Sequence, residues 1–319
     1  MSGYIEEHAA EVRRAAERIR GHVRRTPSLG TDLDPHLRLK AECFQVTGSF
    51  KPRGAFNALL ALVESGRRPK GVIAVSSGNH AQAVALAART VGVPALILIP
   101  EDANPTKVAA TRALGAEVIQ EGINFANRER RLREVMAERE LTLVHPFDDW
   151  DVIHGQGTAA LELLSDDPEL RTVVAPLGGG GLLSGTAIVA KSHDPSIKVI
   201  GVEPAAADDA YRSWKAGSIQ TMASAPTTLA DGVRTTAIGQ RTFEVMFGEG
   251  LVDEVVTVTE DEIAAAVRLA WTRLRLALEP TGALPLAAHI AGRVPKGPAG
   301  FILSGGNSNF ETVAKLLTS

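Results

Sequence analysis

One cysteine in 319 residues, Cys43, leaves no internal disulfide to be made and suits a reducing compartment. It lies in Leu39-Lys40-Ala41-Glu42-Cys43-Phe44, where packing in a strand is a better reading than a nucleophile. No apolar run is long enough to span a bilayer, and the charged, helix-patterned stretch from Met1 to Arg25 lacks the apolar centre of a secretion signal. A cytoplasmic location is therefore expected. Excess positive charge is missing as well: the net charge is −3 and the pI about 6.3, which removes the electrostatic case for nucleic acid or an anionic membrane as partner. The one basic cluster, Arg128-Glu129-Arg130-Arg131-Leu132-Arg133, carries glutamate at helical spacing and reads as a solvated face. Repeats and low-complexity tracts are absent.

What is present is a rhythm. An amphipathic helix is predicted over 5–24 and a short strand over Leu37–Ala41. From Gly71 onward apolar strands alternate with helical stretches: strands at 72–75, 95–99, 116–119 and 141–144, helices at 81–90, 105–114 and 124–140. After 145–149 come helices at 153–164, 181–191, 208–216, 260–275, 281–291 and 308–317, with strands at 172–175, 198–202, 252–258 and 300–303. Residues 218–239 read as irregular. Such alternation predicts an α/β protein whose sheets are parallel or mostly parallel and covered by helices. The seams near 65–70 and 145–150 divide it into two lobes, residues 1–68 with 146–319 and residues 69–145.

Four stretches carry chemistry. In Thr47-Gly48-Ser49-Phe50-Lys51-Pro52-Arg53-Gly54-Ala55, Lys51 has no acid within four positions and precedes a proline that suits a helix start. An amine there has its pKa lowered by the helix dipole and can attack a carbonyl. The run Gly178-Gly179-Gly180-Gly181-Leu182-Leu183-Ser184 joins a strand to a helix, where backbone N–H groups can crowd a phosphate; a tight turn without ligand is the plainer alternative. Gly179, Gly181 and Ser184, with Glu203 beyond the next strand, nearly fit a dinucleotide fingerprint, so a nicotinamide dehydrogenase is a rival. Ser76-Ser77-Gly78-Asn79-His80 lies between another strand end and helix start, and suits either a carboxylate or simple helix capping. Leu303-Ser304-Gly305-Gly306-Asn307 is a third such strand end, whose serine can meet an aromatic ring nitrogen without adding charge.

Together these stretches resemble the fold-type-II pyridoxal-phosphate enzymes, and within them the threonine/serine dehydratase and serine racemase group. The resemblance runs in the family's order from about Arg25 onward, through TGSFKPRGAFNAL, SSGNHAQAVALAA, KVAATRALGAEVI, HPFDD with VIHGQGTAALELL, GGGGLLSG, VIGVEP, LADGVRT, EPTGALPLAA and LSGGN. It implies a two-lobed fold like the tryptophan synthase β chain. Residues 1–68 and 146–319 would bind the cofactor, and 69–145 would close over the substrate. By position, Lys51 would be the Schiff-base lysine with Phe50 beside the ring, Asn79 would meet the ring hydroxyl, and Ser304 the ring nitrogen. Gly178, Gly179, Gly180, Gly181 and Leu182 would cup the phosphate. Ser76, Ser77, Asn79 and His80 fall where the family grips substrate, joined by Arg128 and Thr235. Glu203, the Ala207 carbonyl and Asp209 match the racemases' Mg²⁺ or Ca²⁺ site, a ligand set that suits a hard cation.

The implied reaction is α,β-elimination from L-threonine, L-serine or a related β-hydroxy amino acid, giving a 2-oxo acid and ammonia. Serine racemase with dehydratase side activity and 3-hydroxyaspartate dehydratase are the alternatives. Ser77 stands where the family's racemases carry their second catalytic group and many dedicated threonine dehydratases have alanine. A homodimer is implied too. Two departures stand out: the segment between Arg25-Thr26-Pro27 and Lys40 is short for the family, and no regulatory domain follows Ser-Gly-Gly-Asn, so isoleucine feedback is not expected.

Overall fold

The structure, a computed structural model, describes residues 2–103 and 105–318; Met1, Asn104 and Ser319, which the expected lobe ranges include, lie outside them. Its strands are β1 (Ser28–Gly30), β2 (Leu37–Ala41), β3 (Val72–Val75), β4 (Ala95–Leu98), β5 (Glu117–Ile119), β6 (Thr142–Leu143), β7 (Thr172–Pro176), β8 (Lys198–Pro204), β9 (Glu254–Val258) and β10 (Ala299–Leu303). They form a six-stranded sheet in the order β1-β2-β10-β7-β8-β9 and a four-stranded sheet in the order β5-β4-β3-β6. Every pairing of these strands is parallel except β1 with β2. One contiguous stretch, residues 72–143, supplies the whole smaller sheet, while the larger takes strands from both sides of it.

The first helices are α1 (Ser2–Arg18), α2 (Lys51–Glu64), α3 (Asn79–Val91), α4 (Pro105–Ala113), α5 (Arg128–Arg139), α6 (Trp150–Asp166) and α7 (Gly181–His193). They are followed by α8 (Asp209–Ala216), α9 (Gln240–Phe243), α10 (Glu260–Leu269), α11 (Leu284–Ile290) and α12 (Phe310–Thr318). Helices bury both faces of the larger sheet, as a parallel sheet requires. Val173 and Ala175 of β7 point into one apolar cluster and Val174 between them into another.

Several boundaries differ from the sequence reading for local reasons. α1 ends at Arg18 because Gly21 turns the chain with φ +83°. α5 begins only at Arg128, since Asn124 and Asn127 first cap one another's backbone N–H groups. The helix expected to run to Arg275 stops at Leu269 and continues as a wide π turn, Ala270–Leu274. That expected over 281–291 opens as a 3₁₀ turn, Pro280–Ala283. Cys43 sits in a 3₁₀ turn just after β2 rather than in a strand, half-buried, its thiol pushed up to about 11 by burial. It is a packing residue.

α6 is the spine. Its His154-Gly155-Gln156-Gly157 run carries two glycines on its contact faces. A Cβ at Gly155 would come within 2.5 Å of the Arg53 carbonyl on α2, and one at Gly157 within 2.9 Å of the Gly185 carbonyl on α7. Both neighbouring helices therefore lie backbone against backbone with α6. The first turn of α2 is further clamped by charge. Arg53, fully buried, donates to both oxygens of buried Glu42 at 2.8 and 2.9 Å and to both of Glu162 at 2.8 Å, while buried Lys40 meets Glu162 at 2.7 Å.

Removing one partner of such a set strands the others in a dry interior. Arg53→Leu should lower the unfolding free energy by about 3–5 kcal/mol, and the Arg53→Leu/Glu42→Leu pair by less than the single change. Urea unfolding of the two variants checks this; a double variant less stable than the single would refute it.

Candidate active site

Lys51 is the first residue of α2, with Phe50 at the cap and Pro52 at the second helical position, where the missing N–H costs no bond. Its Nζ donates to the Pro146 carbonyl at 2.7 Å and lies 5.1 Å from the centre of the Phe50 ring. Burial alone draws the amine down to about 8. The sequence expectation of a readily deprotonated amine thus meets its physical cause in desolvation.

The segment ahead of Lys51 is stitched to the end of β10. Phe50 N donates to Ser304 O at 3.0 Å, Gly306 N to Gly48 O at 2.9 Å, and Ser49 bridges Gly305 antiparallel. Ser304 is thereby carried beside the start of α2, its Oγ buried without a hydrogen-bond partner. A buried hydroxyl left in that condition needs a ligand or water to satisfy it.

The glycine run lies between β7 and α7. Gly180 takes φ +96°, which only glycine adopts at little cost, and Gly181 opens the helix, so the N–H groups of its first turn lack intrahelical partners. A Cβ on Gly179 would overlap the Phe147 ring, and one on Gly178 would press on Val233 at 3.0 Å. The cup is thus backbone only, walled by the residue that follows the carbonyl holding Lys51.

The Ser76–His80 loop divides its labour. Ser76 Oγ accepts from Gly78 N at 3.2 Å, which shapes the turn, and Ser77 is exposed. Asn79, the first residue of α3, donates through Nδ2 to Glu279 Oε1 at 2.7 Å and accepts at Oδ1 from Asn307 Nδ2 at 2.9 Å. His80 is buried, its Nε2 bonded to the Val144 carbonyl at 2.8 Å, and burial, aided by Lys51, drops it to about 3. Its ring is a neutral anchor between α3 and the end of β6, with Nδ1 left unpartnered.

The Arg128 guanidinium stacks on Phe125 at 3.4 Å and donates to the Phe125 carbonyl; burial lowers its pKa. Thr235 Oγ1 is buried without a partner, two residues beyond the Val233 that faces Gly178. Neither side chain has a hydrogen bond to Lys51 or to the Ser76–His80 loop among the described residues.

At the end of β8, Glu203 accepts from Tyr211 N at 2.6 Å and Ala210 N at 3.3 Å, and so caps α8. Asp209 opens that helix with Oδ2 buried and unpartnered. Burial lifts Glu203 to about 9 and Asp209 to about 7, and Ala207 is buried between them. Two coupled, desolvated carboxyls, one with an unpartnered oxygen, have the chemistry a hard divalent cation takes, although no group of three or more His, Cys, Asp or Glu able to hold a metal occurs among the described residues.

Sequence reasoning missed Pro146, Glu279 and Asn307, all of which touch the expected site residues. An acid flanked by Leu278 and Pro280 in an apolar stretch was the available signal for Glu279.

Residues 19–305 match the family model described as "Pyridoxal-phosphate dependent enzyme". The chain is 42% identical over 312 residues to L-threo-3-hydroxyaspartate ammonia-lyase of Saccharomyces cerevisiae, covering 95% of this chain and 94% of that protein. It is 41% identical to a serine racemase of Oryza sativa subsp. indica, over 93% of this chain and 89% of that one. Among solved structures, a T.th. threonine deaminase superposes with a TM-score of 0.89 at 48% identity, covering 94% of this chain and 98% of that one. These matches leave the dinucleotide reading of Gly179, Gly181 and Ser184 without support. With the unpartnered Ser304 hydroxyl, the side-chain-free cup and the buried amine in one place, the chain belongs to the pyridoxal-phosphate dependent enzyme family, in its fold-type-II form.

Proposed function

We propose that the protein is a pyridoxal-phosphate dependent dehydratase that converts L-threonine, L-serine or a related β-hydroxy amino acid to a 2-oxo acid and ammonia. The observation that carries this is Lys51, a buried amine held by a carbonyl, whose pKa falls to about 8 through burial with no acid holding it up. Such an amine serves both to hold an aldehyde and to take a proton from the substrate Cα. Phe50 and Asn79 would flank the cofactor ring, Ser304 would meet its nitrogen, and Gly178 to Leu182 would receive its phosphate. The bound cofactor supplies the electron sink that makes the Cα proton removable. A neutral serine at the ring nitrogen, in place of an acid, favours elimination over transamination. Ser76, Ser77, Asn79 and His80, with Arg128 and Thr235, are the substrate contacts of this proposal. For His80 the backbone is the better candidate, because its ring is engaged with Val144.

The residue 69–145 lobe would close over the substrate. Glu203, Asp209 and the Ala207 carbonyl would hold Mg²⁺ or Ca²⁺. A homodimer and a cytoplasmic location belong to the same proposal. Serine racemisation is a second activity of the proposal, favoured by the exposure of Ser77 on the loop leading to Asn79 and by the likeness to the rice serine racemase.

Three outcomes follow. Lys51→Ala should cut formation of 2-oxo acid and ammonia by at least about 10²–10⁴-fold and remove the visible band of the bound cofactor; retained turnover would defeat the proposal. Ser77→Ala should abolish D-serine formation and spare most 2-oxo acid formation, with equal loss of both refuting its separate role. The third concerns Glu203 and Asp209, which hold protons more tightly folded than unfolded. Their contribution to stability is complete below about pH 4 and fades as the pH climbs through about 7 and then about 9. Chelated protein should lose melting temperature over that window, Mg²⁺ should restore it most at the alkaline end, and Glu203→Gln should flatten the dependence. A pH-independent response to Mg²⁺ would exclude this pair.

A further inference from the structure

Glu279 is a buried acid to which the proposed reaction gives no task. It stands at the entrance to the 3₁₀ turn Pro280–Ala283, with its N–H donating to the Gly305 carbonyl at 3.2 Å, one residue past Ser304. Its Oε1 takes one N–H of Asn79 at 2.7 Å. The Asn79 oxygen is occupied by Asn307, whose Nδ2 also donates to the Thr47 carbonyl at 2.5 Å. An asparagine side chain has two N–H donors and one acceptor oxygen. Asn79 therefore offers a ligand a single N–H, and the group that acts on that N–H from behind is the Glu279 carboxyl.

We propose that Glu279 is a positioning residue which, acting through Asn79, decides how readily the hydroxyl on the cofactor ring keeps its proton. The inference rests on the proposed contact between Asn79 and that hydroxyl. An ionised Glu279 makes the remaining Asn79 N–H a weaker donor and places negative charge behind the ring oxygen, so the oxygen retains its proton. A neutral Glu279 strengthens the donor and lets the proton pass to the adjoining nitrogen that would link the cofactor to Lys51, so that only the Glu279 proton is exchanged with solvent between the two states. The two states exchange near neutral pH. Burial first, then the negative charge of Asp231, lifts Glu279 to about 7, against the opposing effects of Lys107 and of the Asn79 hydrogen bond. Asp231 and Lys107 are themselves an ion pair at 2.5 Å, and join the 3₁₀ turn Asp231–Val233 to α4 of the smaller lobe.

The test is the visible absorption of the protein reconstituted with pyridoxal phosphate, followed across pH. The wild type should interconvert between two spectral forms with a midpoint near 7. Glu279→Gln should remove that transition and Glu279→Asp should restore it. Two variants that touch neither Asn79 nor the cofactor supply the sharper check: Asp231→Asn should lower the midpoint and Lys107→Met should raise it, each by about half a pH unit, the scale of a partly exposed charge pair. A structural role alone would not move the two in opposite directions. An unchanged midpoint in Glu279→Gln, or shifts of one sign in both surface variants, overturns the proposal while cofactor uptake stands. A chain that takes up no pyridoxal phosphate overturns the underlying functional reading along with it.

Discussion

Backbone contact between helices is the constraint on which the site depends. α6 can touch α2 at Gly155 and α7 at Gly157 only because neither position carries a side chain. The two helices it supports begin with the residues on which the proposed function rests, Lys51 on one and the glycine run on the other. Their starts are thus fixed relative to one another through a third rigid element rather than through loops, which is how a catalytic constellation is kept within tenths of an ångström. The loops that complete the site, at 47–50 and 304–307, are in turn tied to one another by main-chain hydrogen bonds.

Charge is managed by separation. The cluster of Lys40, Arg53, Glu42 and Glu162 behind α2 balances two cations against two anions. The acids that burial pushes upward, Glu203, Asp209 and Glu279, stand away from Lys51, none of them contributing to its shift. Lys51 faces a carbonyl and an aromatic ring, and Glu279 is engaged by the amide of Asn79. A carboxylate in direct contact would have held the amine charged.

Much of this is legible in the amino-acid sequence itself. β3 falls where a short apolar run ends in a polar turn, β2 where leucines alternate with charge, and the βα alternation announces parallel sheets. Lys51 stood out by the company it lacks, and four glycines in a row at a strand end have few other uses. Other features were hidden for physical reasons. β1 has only three residues, too few for a period to register, and its antiparallel pairing with β2 is a tertiary matter. The π turns at 244–248 and 270–274 add one residue to a helical turn, a change that apolar periodicity cannot resolve. Glu279 meets Asn79 across 200 residues of chain, and no local pattern encodes that distance.

The way Lys51 is tuned carries one more consequence. Its proton affinity falls through removal of water and not through neighbouring cations, so there is no like-charge repulsion for dissolved ions to screen. Added salt, which would quickly undo a lysine activated by a second cation, has little here to act on: the amine's readiness is a property of packing, and a change that lets solvent in takes it away.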